Sequence, residues 1–296
     1  MSDSSPAIQI DNMTYAYGRA EAVRGLSLTV QRGRCYGLFG RNGAGKTTTM
    51  KCLLNLLRPQ SGSLRVFGMD PAKQEQAVKQ RLAYVPDQVA FYPWMTVRET
   101  LDYFASFREH WNSRIEAELL ERFRLDPTKK TSALSKGQRT QVALIAAVSP
   151  ETELLVLDEP TSGLDPIVRR EFIETVIGAY QEGNPGQRTI LVSTHLIGEF
   201  EGLIDEFTIV DGGRSVLTLG ADAARERFQK IRARFSQSAP QIDLNALHVH
   251  RTGRELDCVV REGGEGILDR LRQHEPETLT SESLTLEEIF VAVLQH

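Results

Sequence analysis

The sequence predicts an α/β fold with a β-rich start, a helical insertion and a small α+β domain at its end. Three observations carry that prediction. The apolar run Cys35-Tyr36-Gly37-Leu38-Phe39 stops at a glycine-rich turn, after which Met50, Leu53, Leu54 and Leu57 recur at helical spacing. Further short apolar runs, Leu154–Leu157 and Ile190–Val192, are separated by a helix that begins at Asp165-Pro166. Between these halves, from about residue 94 to 148, the pattern is helical throughout.

Taken in order, Ile8 and Ile10, then Leu26, Leu28 and Val30, alternate as strand residues on either side of the turn-like Tyr17-Gly18-Arg19. The helix after the glycine-rich turn is expected to end near Arg58-Pro59, where Pro59, Ser61 and Gly62 lead into a strand at Leu64–Phe67. A strand at Leu82–Val85 ends at Pro86. Thr96 with Glu99, and Ser113 with Glu116, have capping-box spacing. Val97, Leu101 and Phe104 then share one face, as do Ile115, Leu119 and Phe123. The helix after Pro166 is expected to bury Val168, Phe172 and Val176. Phe207–Val210 and Val216–Leu217 flank Asp211-Gly212-Gly213 as a hairpin. Beyond Gly220 come a charged helix to Gln229, weak strands at Ile231–Phe235 and Leu256–Val260, and helices at Gly266–Gln273 and Thr285–Leu294.

Composition narrows the function. A formal net charge of −4 argues against a general nucleic-acid binder, and no nucleic-acid partner is expected. Cys35, Cys52 and Cys258 have neither metal-site nor disulfide-framework spacing, which fits a reducing cytosol. No apolar stretch approaches the roughly 18–20 residues that span a bilayer. The first residues lack the basic and apolar regions of a signal peptide, so none is expected.

Gly40-Arg41-Asn42-Gly43-Ala44-Gly45-Lys46-Thr47-Thr48 fits the phosphate-loop pattern of a glycine, four residues and Gly-Lys-Thr. Small residues at Asn42–Gly45 let successive N–H groups turn inward around phosphate oxygens. Lys46 adds a mobile positive charge for the β- and γ-phosphates, Thr47 a hydroxyl for Mg²⁺, and the helix from Thr48 onward its partial positive end. Leu154–Leu157 deliver Asp158-Glu159-Pro160 to the end of a buried strand. There an aspartate can hold Mg²⁺ and a glutamate can orient or deprotonate water. Read alone, the same pair is a solvated strand end followed by a turn. Leu134-Ser135-Lys136-Gly137-Gln138 opens a helix through Ala147, with Ser135 and Gln138 at capping-box spacing. It is either a well-capped helix or a second anion site.

In this order the motifs resemble those of the nucleotide-binding subunit of ABC (ATP-binding cassette) transporters. They are Gly40 to Thr48, Leu134 to Gln138, Leu155 to Pro160, Ser162-Gly163-Leu164-Asp165 and Ser193-Thr194-His195. The resemblance covers roughly residues 8 to 217. It implies a P-loop NTPase core with an antiparallel β subdomain and a helical subdomain at about 90–150. The nucleotide-binding domain would run from 1 to 219 and a small accessory domain from 220 to 296.

The family resemblance also implies roles. ATP and Mg²⁺ are the expected cofactors. Ser135 and Gly137, with Gln138 in the same signature, would face the γ-phosphate held by the opposite subunit of a head-to-tail dimer. His195 would sense or stabilise that phosphate, and Asp165 would communicate across the dimer or cap its helix. Tyr17 would stack on adenine, with Tyr15 as its rival.

Two positions depart from the family pattern. Lys136 stands where glycine is usual. At Tyr84-Val85-Pro86-Asp87-Gln88, the family's Mg²⁺-contacting glutamine is replaced either by Asp87 or by Gln88 in a shifted register, and Gln88 is preferred. The ending Ser283-Leu284-Thr285-Leu286-Glu287-Glu288-Ile289-Phe290 is similar to that of exporter subunits carrying a small extra domain. The expectation is therefore an ATPase motor of an exporter at the cytoplasmic face of the cell membrane. It would work as a homodimer, or with a closely related cassette, on an integral membrane permease. The alternative is a soluble ABC-type ATPase acting as a switch on a cytosolic complex.

Overall fold

The computed structural model describes residues 5–181 and 188–295. The first four residues, part of the stretch read for a signal peptide, lie outside them. The chain divides into two compact units, Met1–Ser215 and Val216–His296.

In the first unit, β1 (Ile8–Tyr17) and β2 (Ala20–Val30) form an antiparallel ribbon. β3 (Cys35–Phe39) is buried along its whole length, as a strand flanked on both sides must be. α1 (Lys46–Leu53) follows, and β4 (Ser61–Val66) returns to pair with β1, completing a three-stranded sheet ordered β2-β1-β4. α1 stops at Leu53, earlier than the expected end near Arg58. Asn55 adopts φ 56°, a left-handed conformation that Asn tolerates and that ends a helix. α2 (Glu75–Arg81) escapes sequence reading because Val78 is its one buried residue. It leads into β5 (Leu82–Val85).

The helical insertion contains α3 (Val97–Ala105), α4 (Ser113–Arg122) and α5 (Lys136–Val148). Thr96 Oγ1 accepts from Glu99 N at 3.1 Å while Glu99 Oε2 accepts from Thr96 N at 2.7 Å, a complete capping box. The expected pair Ser113–Glu116 does not cap α4. Asn112 does, accepting from Arg114 N and Ile115 N, and buried Glu116 instead binds Arg98 and the Trp111 indole. Phe104 also departs from expectation: Val97 and Leu101 are buried, but Phe104 is exposed beside Tyr103 and Phe91.

β6 (Leu154–Asp158), α6 (Pro166–Gln181), β7 (Thr189–Thr194), the single-turn α7 (Ile197–Phe200), β8 (Glu206–Asp211) and β9 (Arg214–Gly220) complete the main sheet. Its order is β5-β6-β7-β3-β8-β9. The pairs from β5 through β8 are parallel, so their C-terminal ends share one edge, where open α/β sheets bind ligands. Register decides what meets there: Asp158 lies opposite Ser193, and Phe39 lies opposite Thr194. On α6, Phe172 and Val176 are buried, whereas Val168 is half-buried against Gly137.

The second unit opens with α8 (Ala221–Arg227). β10 (Gln229–Arg234), β11 (His248–Thr252), β12 (Glu255–Val260) and β13 (Thr278–Ser283) form an antiparallel sheet ordered β11-β12-β10-β13. α9 (Gly264–Arg272) buries Ile267, Leu268 and Leu271 against Ile231, Leu256 and Cys258. Sequence reading found two of the four strands. β11 and β13 carry one apolar residue each, Val249 and Leu279, too few for an alternation signal. α10 (Leu286–Leu294) starts with a Thr285–Glu288 capping box.

Candidate active site

The loop after β3 is shaped by its glycines. Gly45 has φ 102°, and a Cβ there would come within 2.4 Å of the Ala22 carbonyl oxygen; one at Gly40 would come within 2.6 Å of the Val210 carbonyl oxygen. The loop therefore closes tightly and starts α1 with no side-chain cap on its first amides. Asn42 and Gly43 are exposed at its rim, while Ala44, Gly45, Lys46 and Thr48 are buried and Thr47 is half-buried. Lys46 Nζ donates to the carbonyls of Gly40 at 2.6 Å and Arg41 at 3.3 Å and lies 3.1 Å from Glu159 Oε1. That last contact is an ion pair without hydrogen-bond alignment, since Glu159 Oε1 is buried and otherwise unpartnered.

Asp158 and Glu159 sit side by side but in different surroundings. Asp158 is buried, and its Oδ1 accepts from Thr47 Oγ1 at 3.2 Å and Ser193 Oγ at 3.0 Å, its Oδ2 from the Tyr84 hydroxyl at 3.4 Å. Burial raises its carboxyl above the usual range, and Glu159 and Asp87 push the same way, against the Thr47 and Ser193 bonds. Burial, then the neighbouring Asp158, raises the Tyr84 phenol too. Ser193 and Tyr84 fall within motifs named from the sequence, but no spacing ties either to Asp158. Only the β6–β7 and β5–β6 registers bring them to Asp158.

Glu159 takes φ 46°, a left-handed conformation uncommon for a residue with a side chain. The turn is held by Glu159 N donating to the Ser193 carbonyl at 2.8 Å and Ser162 N donating to the Glu159 carbonyl at 3.1 Å. Glu159 Oε2 then lies 2.7 Å from His195 Nδ1 and accepts from His195 N at 3.3 Å. A carboxylate only accepts, so Nδ1 carries a proton and Nε2 is the ring's remaining nitrogen. Three strand ends thus bring Lys46, Asp158, Glu159 and His195 together.

The other candidates stand apart from this cluster. Ser135 caps α5, accepting from Gln138 N at 3.2 Å, while Gln138 Oε1 accepts from Ser135 N at 3.2 Å. Among the described residues, no hydrogen bond of Ser135 or Gln138 reaches Gly40–Thr48. A Cβ on Gly137 would stand 3.3 Å from Val168 Cγ1, so the glycine lets α5 start close to α6. Asp165 caps α6, its Oδ1 accepting from Ile167 N and Val168 N at 3.1 Å each. Tyr17 is 49% exposed, with its ring edge-on to Tyr15 at 5.0 Å, whereas Tyr15 packs on the core. Of the two, Tyr17 has the free ring face. Asp87 is in electrostatic reach of Asp158 and Tyr84, and Gln88 is exposed and has no hydrogen bond among the described residues.

A glycine loop with a buried lysine, a hydroxyl-held aspartate and a glutamate–histidine pair defines a P-loop NTPase. Comparison with known proteins narrows that class. The ABC transporter family matches residues 23–162. The chain is 32% identical over 276 residues, 90% of its length and 89% of the relative's, to the bacitracin transport ATP-binding protein BcrA of Bacillus licheniformis. It is 33% identical to the daunorubicin resistance ATP-binding protein DrrA3 of Streptomyces coeruleorubidus, covering 88% of this chain and 75% of that one. A solved ATP-binding subunit of an ABC transporter superposes with TM-score 0.67 at 28% identity, covering 74% of this chain and 92% of that structure. The chain belongs to the ABC transporter family as an ATP-binding subunit, a cassette that hydrolyses ATP to drive transport.

Proposed function

We propose that this chain is the motor of an exporter, working as a homodimer that sandwiches two ATP molecules and drives a separate integral membrane subunit from the cytoplasmic face. The convergence of Lys46, Asp158, Glu159 and His195 at three parallel strand ends carries this reading. Lys46 and the Gly43–Thr48 amides hold the phosphates, with Asn42 at the rim of the loop. Glu159 orients the attacking water and accepts its proton, while His195, oriented by Glu159 through Nδ1, faces the transferred phosphoryl group. Ser135, Gly137 and Gln138 serve the partner subunit's nucleotide, and Asp165 couples the two sites.

The residues also fit Mg²⁺. A buried carboxylate flanked by two hydroxyls is a hard oxygen donor set, and the raised Asp158 carboxyl gains from a nearby cation. Thr47 and Asp158 would hold the ion, with Asp87 rather than Gln88 nearby; when bound, it neutralises charge on the β- and γ-oxygens.

Tyr17 supplies the adenine platform. Tyr17→Ala should raise the KM for ATP about 10-fold with little change in kcat, since one base–aromatic stack is worth about 1–3 kcal/mol. Unchanged KM in a steady-state titration would remove Tyr17 from the site.

The helical insertion carries an aromatic patch suited to a membrane partner. Trp94 is 65% exposed, and its ring lies 5.0 Å from that of Tyr92; Tyr103 contacts both Tyr92 and Phe107. Contiguous exposed aromatics mark interaction surfaces. Trp94→Ala with Tyr103→Ala should abolish recovery of the membrane subunit in mild detergent, leaving ATPase activity of the isolated chain within about 2-fold. The overall reading is tested by expressing a Glu159→Gln trap in its native cells and identifying what copurifies from solubilised membranes. A stoichiometric integral membrane protein supports the motor. Recovery only with ribosomes, DNA or no partner overturns it in favour of a soluble switch.

A further inference from the structure

The turn from Ser162 to Asp165 is gripped by two cations from one chain. Lys136 Nζ donates to the Ser162 carbonyl at 2.6 Å, and Arg169 Nη2 donates to the Leu164 carbonyl at 3.2 Å. The same guanidinium reaches across to the segment behind His195: Arg169 Nη1 lies 2.6 Å from Glu199 Oε1 on α7. Arg169 is 32% exposed and Glu199 15%, so water screens this pair less than a surface pair.

The pair is half made. Arg169 Nε and Glu199 Oε2 are both buried without a hydrogen-bond partner. A guanidinium and a carboxylate have matched forks; with Nη1 already on Oε1, the second parallel bond to Oε2 is open to the other hydrogen of Nη2, Nε lies on the opposite edge, and leaving a buried acceptor unmade is costly. Glu199 Oε2 and the second Nη2 hydrogen therefore carry spare bonding capacity on the two elements that flank the reacting centre. One element continues from Glu159 through Ser162, whose N–H donates to the Glu159 carbonyl. The other begins two residues after His195.

We propose that Arg169 is a positioning residue that couples the Ser162–Asp165 turn to the His195 segment. Its bond to Glu199 grows from one to two when Glu159 and His195 engage the same phosphoryl group. The inference rests on the assignment of Glu159 and His195 above. It requires Arg rather than Lys, because a point charge on a flexible stem cannot hold the Leu164 carbonyl and the Glu199 carboxylate in one fixed fork.

The test uses the full chain and the variants Arg169→Lys, Glu199→Gln and the double variant, with kcat expressed per nucleotide-binding site and KM measured alongside melting temperature. Each single variant should lower kcat about 10-fold with KM within about 2-fold, and the double should be no slower than the worse single. A merely structural role would lower the melting temperature and the number of binding sites without changing kcat per site. Unchanged kcat in either single variant, losses confined to KM, or effects that multiply in the double would overturn the proposal. Should Arg169→Lys fail to fold, Glu199→Gln reads the same split, and unchanged kcat there is sufficient to reject it. A wild-type chain without ATPase activity, or a Glu159→Gln variant with normal turnover, would instead fail the underlying assignment.

Discussion

Glu159→Gln should bind ATP, lose turnover by about 10²–10³-fold, and accumulate as an ATP-bound dimer. The substitution keeps the shape of the side chain and its reach to His195 Nδ1, because an amide oxygen still accepts a hydrogen bond. It removes the proton acceptor for water and the negative charge beside Lys46. Binding survives because the groups that hold phosphate, Lys46 and the loop amides, are untouched. Steady-state ATPase assays and size-exclusion chromatography with ATP measure the two effects separately. Wild-type turnover would exclude Glu159 as the base, and a strictly monomeric variant with ATP would count against the homodimer.

Lys46→Ala should weaken ATP binding about 100-fold, since charge-assisted hydrogen bonds to a phosphate are worth about 1.5–3 kcal/mol. It should also destabilise the chain. Lys46 and Glu159 are both shielded from solvent, so alanine leaves the Glu159 carboxylate without its cation, and breaking such a pair costs up to about 3–5 kcal/mol. His195 Nδ1 still donates to Oε2, which keeps the loss toward the lower end. The specific expectation concerns the double variant: adding Glu159→Gln to Lys46→Ala should recover part of the lost stability by removing the unpaired charge. Denaturant melts of the three variants measure it. A double variant less stable than Lys46→Ala would show that the pair does not act through charge.

What could be read from the chain follows from how local each signal is. The phosphate loop, the Asp158-Glu159 strand end and the caps at Thr96 and Ser135 each lie within a few consecutive residues. Their chemistry is complete before any folding is considered. The end of α1 is also local, yet it was misplaced, because Leu54 and Leu57 prolong the apolar spacing past the left-handed Asn55. The α4 cap was misplaced by one residue because Asn112 and Ser113 are both good caps and Glu116 stands at the capping-box position of Ser113 alone. Glu116 is taken by Arg98, 18 residues earlier, which no spacing rule contains.

By itself the sequence determined the α/β class, the order of the motifs and the phosphate-binding chemistry, because those reside in short runs of fixed residue types. Only the tertiary structure decided which groups meet: Ser193 and Tyr84 on Asp158, His195 on Glu159, and Arg169 between the Leu164 carbonyl and Glu199. Most of these meetings join residues far apart in the chain. They are set by strand register and helix placement, which come from packing the whole buried sheet rather than from any one segment.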